Sequence, residues 1–513
     1  MLIKSIAERT MAADAPPLTR IPMDVDQLRI LLVKPDISGV CVGFTSLARV
    51  PPLDLLMVAA SAPDHDIRII DMRLEEDEDF EKLIEEYDPH VLGVTAYTAE
   101  AVSTKELCLR ARALKPELTI VQGGYHAAMA PDDAMDESSV DLLVLGEAES
   151  TFTPLLEAIR KGDGFEEIPG IAYLSGGELV FTKTAAQIKD LDTLPFADWS
   201  LVEQYSKQYY LNVMGIVGTV ETTRGCPYDC SFCSVWVFNE RRYRKKSPER
   251  VLEELNRLPD GIDVAAFVDD EFWVDEKRAI EMADLIISQP EDWRGKDWRY
   301  WAQVRTSDIT RRPALVEKWA DAGLKVLLLG IESVKDIELD RLHNKRNKVT
   351  HAVQALGIMR EHGVEAWGCF IVNPEWEEED FLELEDFVRH HEIAFPQFTV
   401  LTPLPGTPLT DGMIAAGILD IAKLESQLLD FLHATTRTRL PLVDFYERMA
   451  SLYETTGMRG SLSVYKRAIR NGVMSREWLQ TEMGRRVRRF FSELCEVDGY
   501  IRAHELLGHE VSA

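Results

Sequence analysis

From Leu28 onward, the chain alternates short, predominantly apolar runs with stretches whose apolar residues recur every three or four positions. The runs 28–33, 67–70, 91–95, 118–121 and 142–145 have strand length. Between the second and third, Phe80, Leu83, Ile84 and Tyr87 fall on one side of a helix. Residues 102–114 predict another helix before the fourth. Strands apolar on both faces, alternating with helices, predict a parallel sheet covered on both sides. Residues 27–160 therefore read as one doubly wound α/β domain.

Residues 1–26 mix small, charged and proline residues without periodicity and predict a loose N-terminal arm. Residues 161–215 read as a linker, with a hairpin at Gly176-Gly177 and a turn-rich stretch over 190–199. The alternation then resumes through runs 216–221, 264–268, 301–304, 326–331, 366–372 and 397–401. Six strand–helix units are too many for a small open sheet and predict a partial (β/α) barrel over 216–410. Pro403-Leu404-Pro405-Gly406 closes that region. Residues 411–513 are helix-like, with Leu442, Phe445, Met449 and Leu452 on one face.

Composition sets outer bounds. The 513 residues are 46% hydrophobic and 28% charged, which describes a globular chain with more than one core. With 57 Lys+Arg against 87 Asp+Glu, the net charge of −30 argues against a nucleic-acid partner. No run of about 18 apolar residues predicts a membrane span. The first 25 residues lack the apolar core of a signal peptide, so a cytoplasmic protein is expected. Seven cysteines are too few and too irregular for a disulfide framework.

Three of them sit together, in Thr222-Thr223-Arg224-Gly225-Cys226-Pro227-Tyr228-Asp229-Cys230-Ser231-Phe232-Cys233, directly after the first barrel strand. C-x3-C-x2-C can place three thiolates around one metal centre. A structural zinc ion would need a fourth ligand from far along the chain, since the next cysteine is Cys369. On a 4Fe–4S cluster, three thiolates leave one iron open to a substrate or cofactor.

This loop, with its aromatic before the last cysteine, resembles that of the radical S-adenosylmethionine (SAM) superfamily. The resemblance implies that Cys226, Cys230 and Cys233 bind a 4Fe–4S cluster whose open iron is chelated by SAM, giving a 5′-deoxyadenosyl radical. It places the main chain of Phe232 near the adenine. Asp269 and Asp270, ending the second strand, resemble the family's contact to the SAM amino group; by themselves they also read as a solvated acidic loop. Trp301-Ala302-Gln303-Val304-Arg305 resembles the third strand, with Gln303 and Arg305 toward the cofactor. Gly330-Ile331-Glu332-Ser333 resembles the fourth-strand motif, with Glu332 and Ser333 at the SAM ribose or carboxylate. The fifth-strand region departs from the family, reading Cys369-Phe370-Ile371-Val372-Asn373-Pro374-Glu375-Trp376 where Gly-x-Pro-x-Glu-Thr is common. Cys369 there reads as a packing cysteine.

The N-terminal domain resembles the cobalamin-binding domain of one radical SAM subgroup. Lys34-Pro35, Pro51-Pro52-Leu53, Gln122-Gly123-Gly124-Tyr125-His126-Ala127 and Gly146-Glu147-Ala148-Glu149 carry the likeness. A doubly wound sheet binds ligands beyond its strands' carboxyl ends, so Gly39, Gly123, Gly124 and Gly146 are the implied cobalamin contacts. Asp36-Ile37-Ser38-Gly39 stands where an Asp-x-His-x-x-Gly motif would supply a cobalt ligand, so no histidine ligand is expected from it. His126 reads as a loop histidine with another task, or as a ligand.

The resemblance implies a cobalamin-dependent radical SAM methyltransferase acting on an unactivated carbon, with an external electron donor such as a flavodoxin or ferredoxin. The alternatives are another reaction type, such as tetrapyrrole ring closure, and a non-catalytic cobalamin sensor; the complete cysteine loop speaks against a sensor. Stretches 80–93 and 370–376 and the tail from Phe445 are similar to the hopanoid C-3 methylase group, which implies a small-molecule or lipid substrate. Lys466, Arg467, Arg470, Arg485, Arg486, Arg488 and Arg489, near Val464, Trp478, Phe490 and Phe491, read either as a peripheral membrane contact or as a solvated helical face.

Overall fold

Alternate residues of the first strands go to opposite sides of one sheet. Leu31, Val33, Leu92 and Val94 join one apolar cluster, while Ile30, Leu32 and Val91 join the other. The computed structural model describes residues 25–43, 47–211, 214–341, 347–474, 480–481, 485 and 494–508. Residues 1–24 of the expected arm, and Trp478, Arg486, Arg488, Arg489, Phe490 and Phe491 of the tail, lie outside the described residues.

The strands of the N-terminal part are β1 (Arg29–Lys34), β2 (Ala48–Arg49), β3 (Asp66–Asp71), β4 (Val91–Thr95), β5 (Thr119–Gly123), β6 (Leu142–Val144), β7 (Ile171–Ser175) and β8 (Glu178–Phe181). All but β2 form a sheet of order β3-β1-β4-β5-β6-β7-β8, parallel from β3 through β6. Helices α1 (Leu53–Ala60), α2 (Asp77–Tyr87), α3 (Ala101–Leu114), α4 (Gly124–Met129) and α5 (Phe152–Lys161) follow strands in turn. Leu55 of α1 and Leu155 of α5 bury on one face; Phe80 of α2 and Leu107 of α3 bury on the other. The sheet is doubly wound, and the strand order reverses between β1 and β4, where such folds open a crevice.

The hairpin at Gly176-Gly177 forms, with both glycines at positive φ, but β7 pairs antiparallel with β6. Part of the segment expected to link the two domains therefore extends the first sheet. Tyr173 packs on one of its cores and Ala172 on the other, which anchors the hairpin there.

The second sheet holds β9 (Tyr210–Leu211), β10 (Gly215–Val220), β13 (Val264–Phe267), β14 (Arg299–Arg305), β15 (Leu324–Glu332), β16 (Glu365–Val372) and β17 (Phe395–Val400). β11 (Thr223–Arg224) and β12 (Arg244–Lys245) form a separate two-stranded ribbon. The order is β17-β16-β15-β14-β13-β10-β9-β2, with β10 and β13 to β17 parallel. This is a partial (β/α) barrel. β2, from the N-terminal region, pairs antiparallel with β9, so one sheet edge is shared between the two halves.

The C-terminal region is helical, with α6 (Leu442–Thr455), α7 (Leu462–Arg470) and α8 (Val497–Leu506). Tyr453 of α6 donates to the Phe398 carbonyl at 2.7 Å and accepts from its amide at 3.0 Å, fastening this helix to β17. Arg467 of α7 is committed to Glu365 at 2.9 Å and Glu392 at 2.7 Å, so it braces the barrel. Among the described residues, no helix is long and apolar enough to cross a membrane.

Candidate functional site

β10 runs into a loop whose neck is the β11–β12 ribbon, and the three cysteines lie within it. Gly225 opens the loop at φ 84°, and a Cβ there would stand 2.1 Å from the Arg242 carbonyl, so only glycine fits. Its amide donates to Asp270 Oδ2 at 2.9 Å. Inside the loop, Cys233 N and Trp236 Nε1 both donate to the Cys230 carbonyl, at 3.2 and 2.8 Å. The Leu409 amide donates to the Ser231 carbonyl at 2.9 Å, and Phe232 packs beside Ile371, Leu401 and Leu409. The loop is thus held at its neck, by its own turn and from the far end of the barrel.

Cys230 is buried, while Cys226 and Cys233 are half-buried. Burial pushes the Cys233 thiol up to about 12, and Cys226 moves in the same direction. A metal centre here must displace these protons on binding. Arg305 Nη1 lies 3.7 Å from Cys230 Sγ, and its guanidinium stacks 3.7 Å from the Tyr228 ring centre. Among the described residues, no three His, Cys, Asp or Glu side chains converge on a single ion. A closed zinc site requires four ligands around one centre. Three cysteines in one loop are the donor set that a 4Fe–4S cluster with one open iron takes.

The side chains expected around SAM divide into two sets. Arg305 and half-buried Gln303 lie along β14, and Glu332, at φ 69°, ends β15. Asp270 is half-buried beside the loop, and burial pushes it up to about 7. Asp269 instead commits both oxygens to the loop's stem, accepting from Thr222 N, the Thr222 hydroxyl and Thr223 N. Burial also raises Asp269, to about 6. Ser333 donates to Glu338 and accepts from Lys335 N at 3.0 Å, which caps the turn after β15. For Asp269 and Ser333 the structure shows backbone-holding duties.

At the carboxyl ends of the first sheet, Lys34 and Glu100 form a buried ion pair. Glu100 also accepts from the Tyr97 amide at 2.8 Å, and Lys34 Nζ stands 5.0 Å from the Tyr97 ring centre. A Cβ on Gly39 or Gly146 would meet nothing within 4 Å, and the nearest atom to one on Gly123 is 3.9 Å away. At Gly124 it would stand 2.8 Å from Thr95 Oγ1 and 2.9 Å from the Ala96 amide. A side chain at Gly39, Gly123 or Gly146 would thus meet open space, while Gly124 admits the end of β4. His126 is buried, with Nε2 3.3 Å from Asp133 and its amide on the Ala96 carbonyl. It serves this local packing.

Three rings that single-residue reasoning missed join the two halves. Tyr97 stacks on Tyr125 with centres 5.9 Å apart, and Tyr125 stacks on Phe238 of the cysteine loop at 4.5 Å. Tyr97, at the outer end of the row, is 57% exposed. A strap from the C-terminal region packs on the loop after β1 and on β17. Cys41 donates to the Gln427 carbonyl at 2.8 Å, the Val42 amide donates to Asp430 at 3.0 Å, and the Val400 amide donates to the Phe431 carbonyl at 2.7 Å. The only sequence signal for the rings was their position beside motifs already singled out.

Comparison with known proteins finds likenesses to both halves of the chain. Residues 220–388 match the radical SAM superfamily, and residues 39–156 match the B12 binding domain. The chain is 32% identical over 403 residues to an uncharacterised methyltransferase of Pyrococcus horikoshii, covering 76% of this chain and 84% of the relative. It is 29% identical over 410 residues to hopanoid C-3 methylase of Methylococcus capsulatus, covering 78% and 75%. The radical SAM methyltransferase TsrM of Kitasatospora setae, solved with tryptophan and a SAM analogue, shares the fold: TM-score 0.65, 15% identity, 94% of this chain and 100% of that one. The chain belongs to the cobalamin-dependent radical SAM methyltransferase family, whose cofactors are a 4Fe–4S cluster, SAM and cobalamin.

Proposed function

We propose that this enzyme transfers a methyl group from SAM to an unactivated carbon of a polycyclic, hopanoid-type lipid. The observation that carries the reading is the Tyr97–Tyr125–Phe238 row, which runs from the open end of the first sheet to the cysteine loop. A row of rings linking the end of the first sheet to the cysteine loop would bring two cofactor sites near each other, which suits a reaction that needs both. Cobalamin supplies a methyl carrier, and the cluster with SAM supplies the means to remove hydrogen from an sp3 carbon.

The chain's own residues take these parts. Cys226, Cys230 and Cys233 hold the cluster, and Arg305 places a positive charge beside Cys230. Asp270 accepts from the SAM ammonium, with Gln303 and Glu332 at its polar groups and Phe232 beside the adenine. Asp269 and Ser333 act on these through the backbone they hold. Gly39, Gly123 and Gly146 leave room for the corrin edge, and Gly124 shapes the turn beneath it. On this reading 27–160 hold cobalamin, with the hairpin over 171–181 extending their sheet, the rest of 161–215 joins the halves, 216–410 hold cluster and SAM, and 411–513 close the barrel. A flavodoxin or ferredoxin supplies electrons, and the protein works in the cytoplasm, peripherally at the membrane where its lipid resides.

The likeness to hopanoid C-3 methylase supports the lipid assignment. Turnover of the anaerobically reconstituted enzyme with methyl-labelled SAM and a hopanoid tests it. The label is expected on the hopanoid; methylation of a different metabolite, with the hopanoid inert, removes the substrate assignment.

A further inference from the structure

The neck of the cysteine loop carries an electrostatic problem that its own domain does not solve. Arg224 on β11 and Arg244 on β12 are register partners, directly opposite each other across the ribbon. Like charges so placed destabilise a strand pair. Both side chains are nearly buried, at 12% and 8% exposure, so water does little to screen them. Glu221 and Glu149 both sit on Arg224. Arg244 has the Ile188 carbonyl and Asn239 Oδ1, both uncharged.

The carboxylate shared by the two arginines comes from the other half of the molecule. Glu147 Oε1 is 3.2 Å from Arg224 and 2.7 Å from Arg244. Its Oε2 accepts from the Ile188 amide at 2.7 Å. Glu147 follows Gly146, whose φ of 93° turns the chain at the cofactor-facing end of the first sheet. One loop therefore borders the expected cobalamin edge and grips the stem of the cysteine loop. Buried ion pairs of this kind add little net stability but enforce geometry, and guanidinium forks do so directionally.

We propose that Glu147 is a positioning residue that closes the neck of the cysteine loop by neutralising Arg224 and Arg244 together, so that docking of the N-terminal domain sets the geometry in which Cys226, Cys230 and Cys233 receive their cluster. The cluster part rests on the assignment of those cysteines above. Removing Glu147 leaves Arg244 buried without a carboxylate. Removing Arg244 leaves three carboxylates around Arg224. Removing both restores the original balance of charge, which a role in generic packing would not do.

The test is a double-mutant cycle of Glu147→Gln and Arg244→Met, read in two ways. In reconstituted protein, iron release to a chelator should quicken about tenfold in each single variant, as for other groups that orient metal ligands. The double variant should return to within about threefold of the parent. In protein without cluster, amide hydrogen exchange over 222–246 should rise in each single variant and fall back in the double. Unchanged single variants, or a double variant worse than either single, overturn the proposal. If a single variant fails to fold, the double variant decides, because rescue requires it to fold and protect the neck. A parent chain that takes up no cluster would remove the cysteine assignment, and the exchange comparison would still judge Glu147.

Discussion

The amide of Gly225 donates to Asp270 Oδ2 at 2.9 Å, tying the residue before the first cysteine to the end of the second barrel strand. Asp269, its neighbour, holds Thr222 and Thr223 in the same loop stem. The two adjacent carboxylates thus fix the stem, and the half-buried Asp270 keeps an oxygen beyond that bond.

This arrangement has a pH consequence. Burial raises Asp270 to about 7 and Asp269 to about 6, both above their unfolded value near 3.8. Between about pH 4 and 7 the unfolded chain has released these protons while the folded chain still holds them. Each group therefore makes stability fall as pH rises through that window. Asp270→Asn should flatten the fall, gaining on the order of 1–2 kcal/mol above pH 7 once screening is allowed for. Thermal unfolding at several pH values, compared with the parent, checks this; parallel pH profiles for the two proteins would contradict it.

Arg305 bridges Cys230 Sγ and the Tyr228 ring, each at 3.7 Å. A planar guanidinium does both, whereas a lysine ammonium cannot stack in the same way. Arg305→Lys and Arg305→Ala should each lower 5′-deoxyadenosine formation about tenfold or more. Full activity in the lysine variant would show that charge alone suffices.

The glycines separate packing from ligand room. Gly124→Ala should cost about 3 kcal/mol, because its Cβ meets Thr95 and Ala96 at a positive φ. Gly39→Ala meets no neighbour and should change stability by no more than about 0.5 kcal/mol. If the corrin edge lies there, the same variant should retain less cobalamin on reconstitution. Denaturant unfolding and bound-cobalamin absorbance measure the two effects separately.

The inner strands of the first sheet, such as β1 and β4, were legible because each serves two cores, so their sequences are apolar without a polar face. The cysteine loop was legible because its chemistry is local, confined to residues 226–233. The fate of the hairpin at Gly176 was not, since its turn residues say nothing about which sheet it joins. Nor was the difference between Asp269 and Asp270, which depends on where the Thr222 and Thr223 amides point. Tyr97, Tyr125 and Phe238, like Glu147 and Arg224, meet only through tertiary structure and leave no spacing to read.

The central claim is that both cofactor sites act in one methyl transfer. The most direct measurement is the yield of S-adenosylhomocysteine and of 5′-deoxyadenosine per methylated product during anaerobic turnover. The account predicts one of each, because one SAM donates the methyl group and another removes hydrogen. Product formed with 5′-deoxyadenosine but without S-adenosylhomocysteine would contradict it and indicate a radical reaction of another type, such as ring closure.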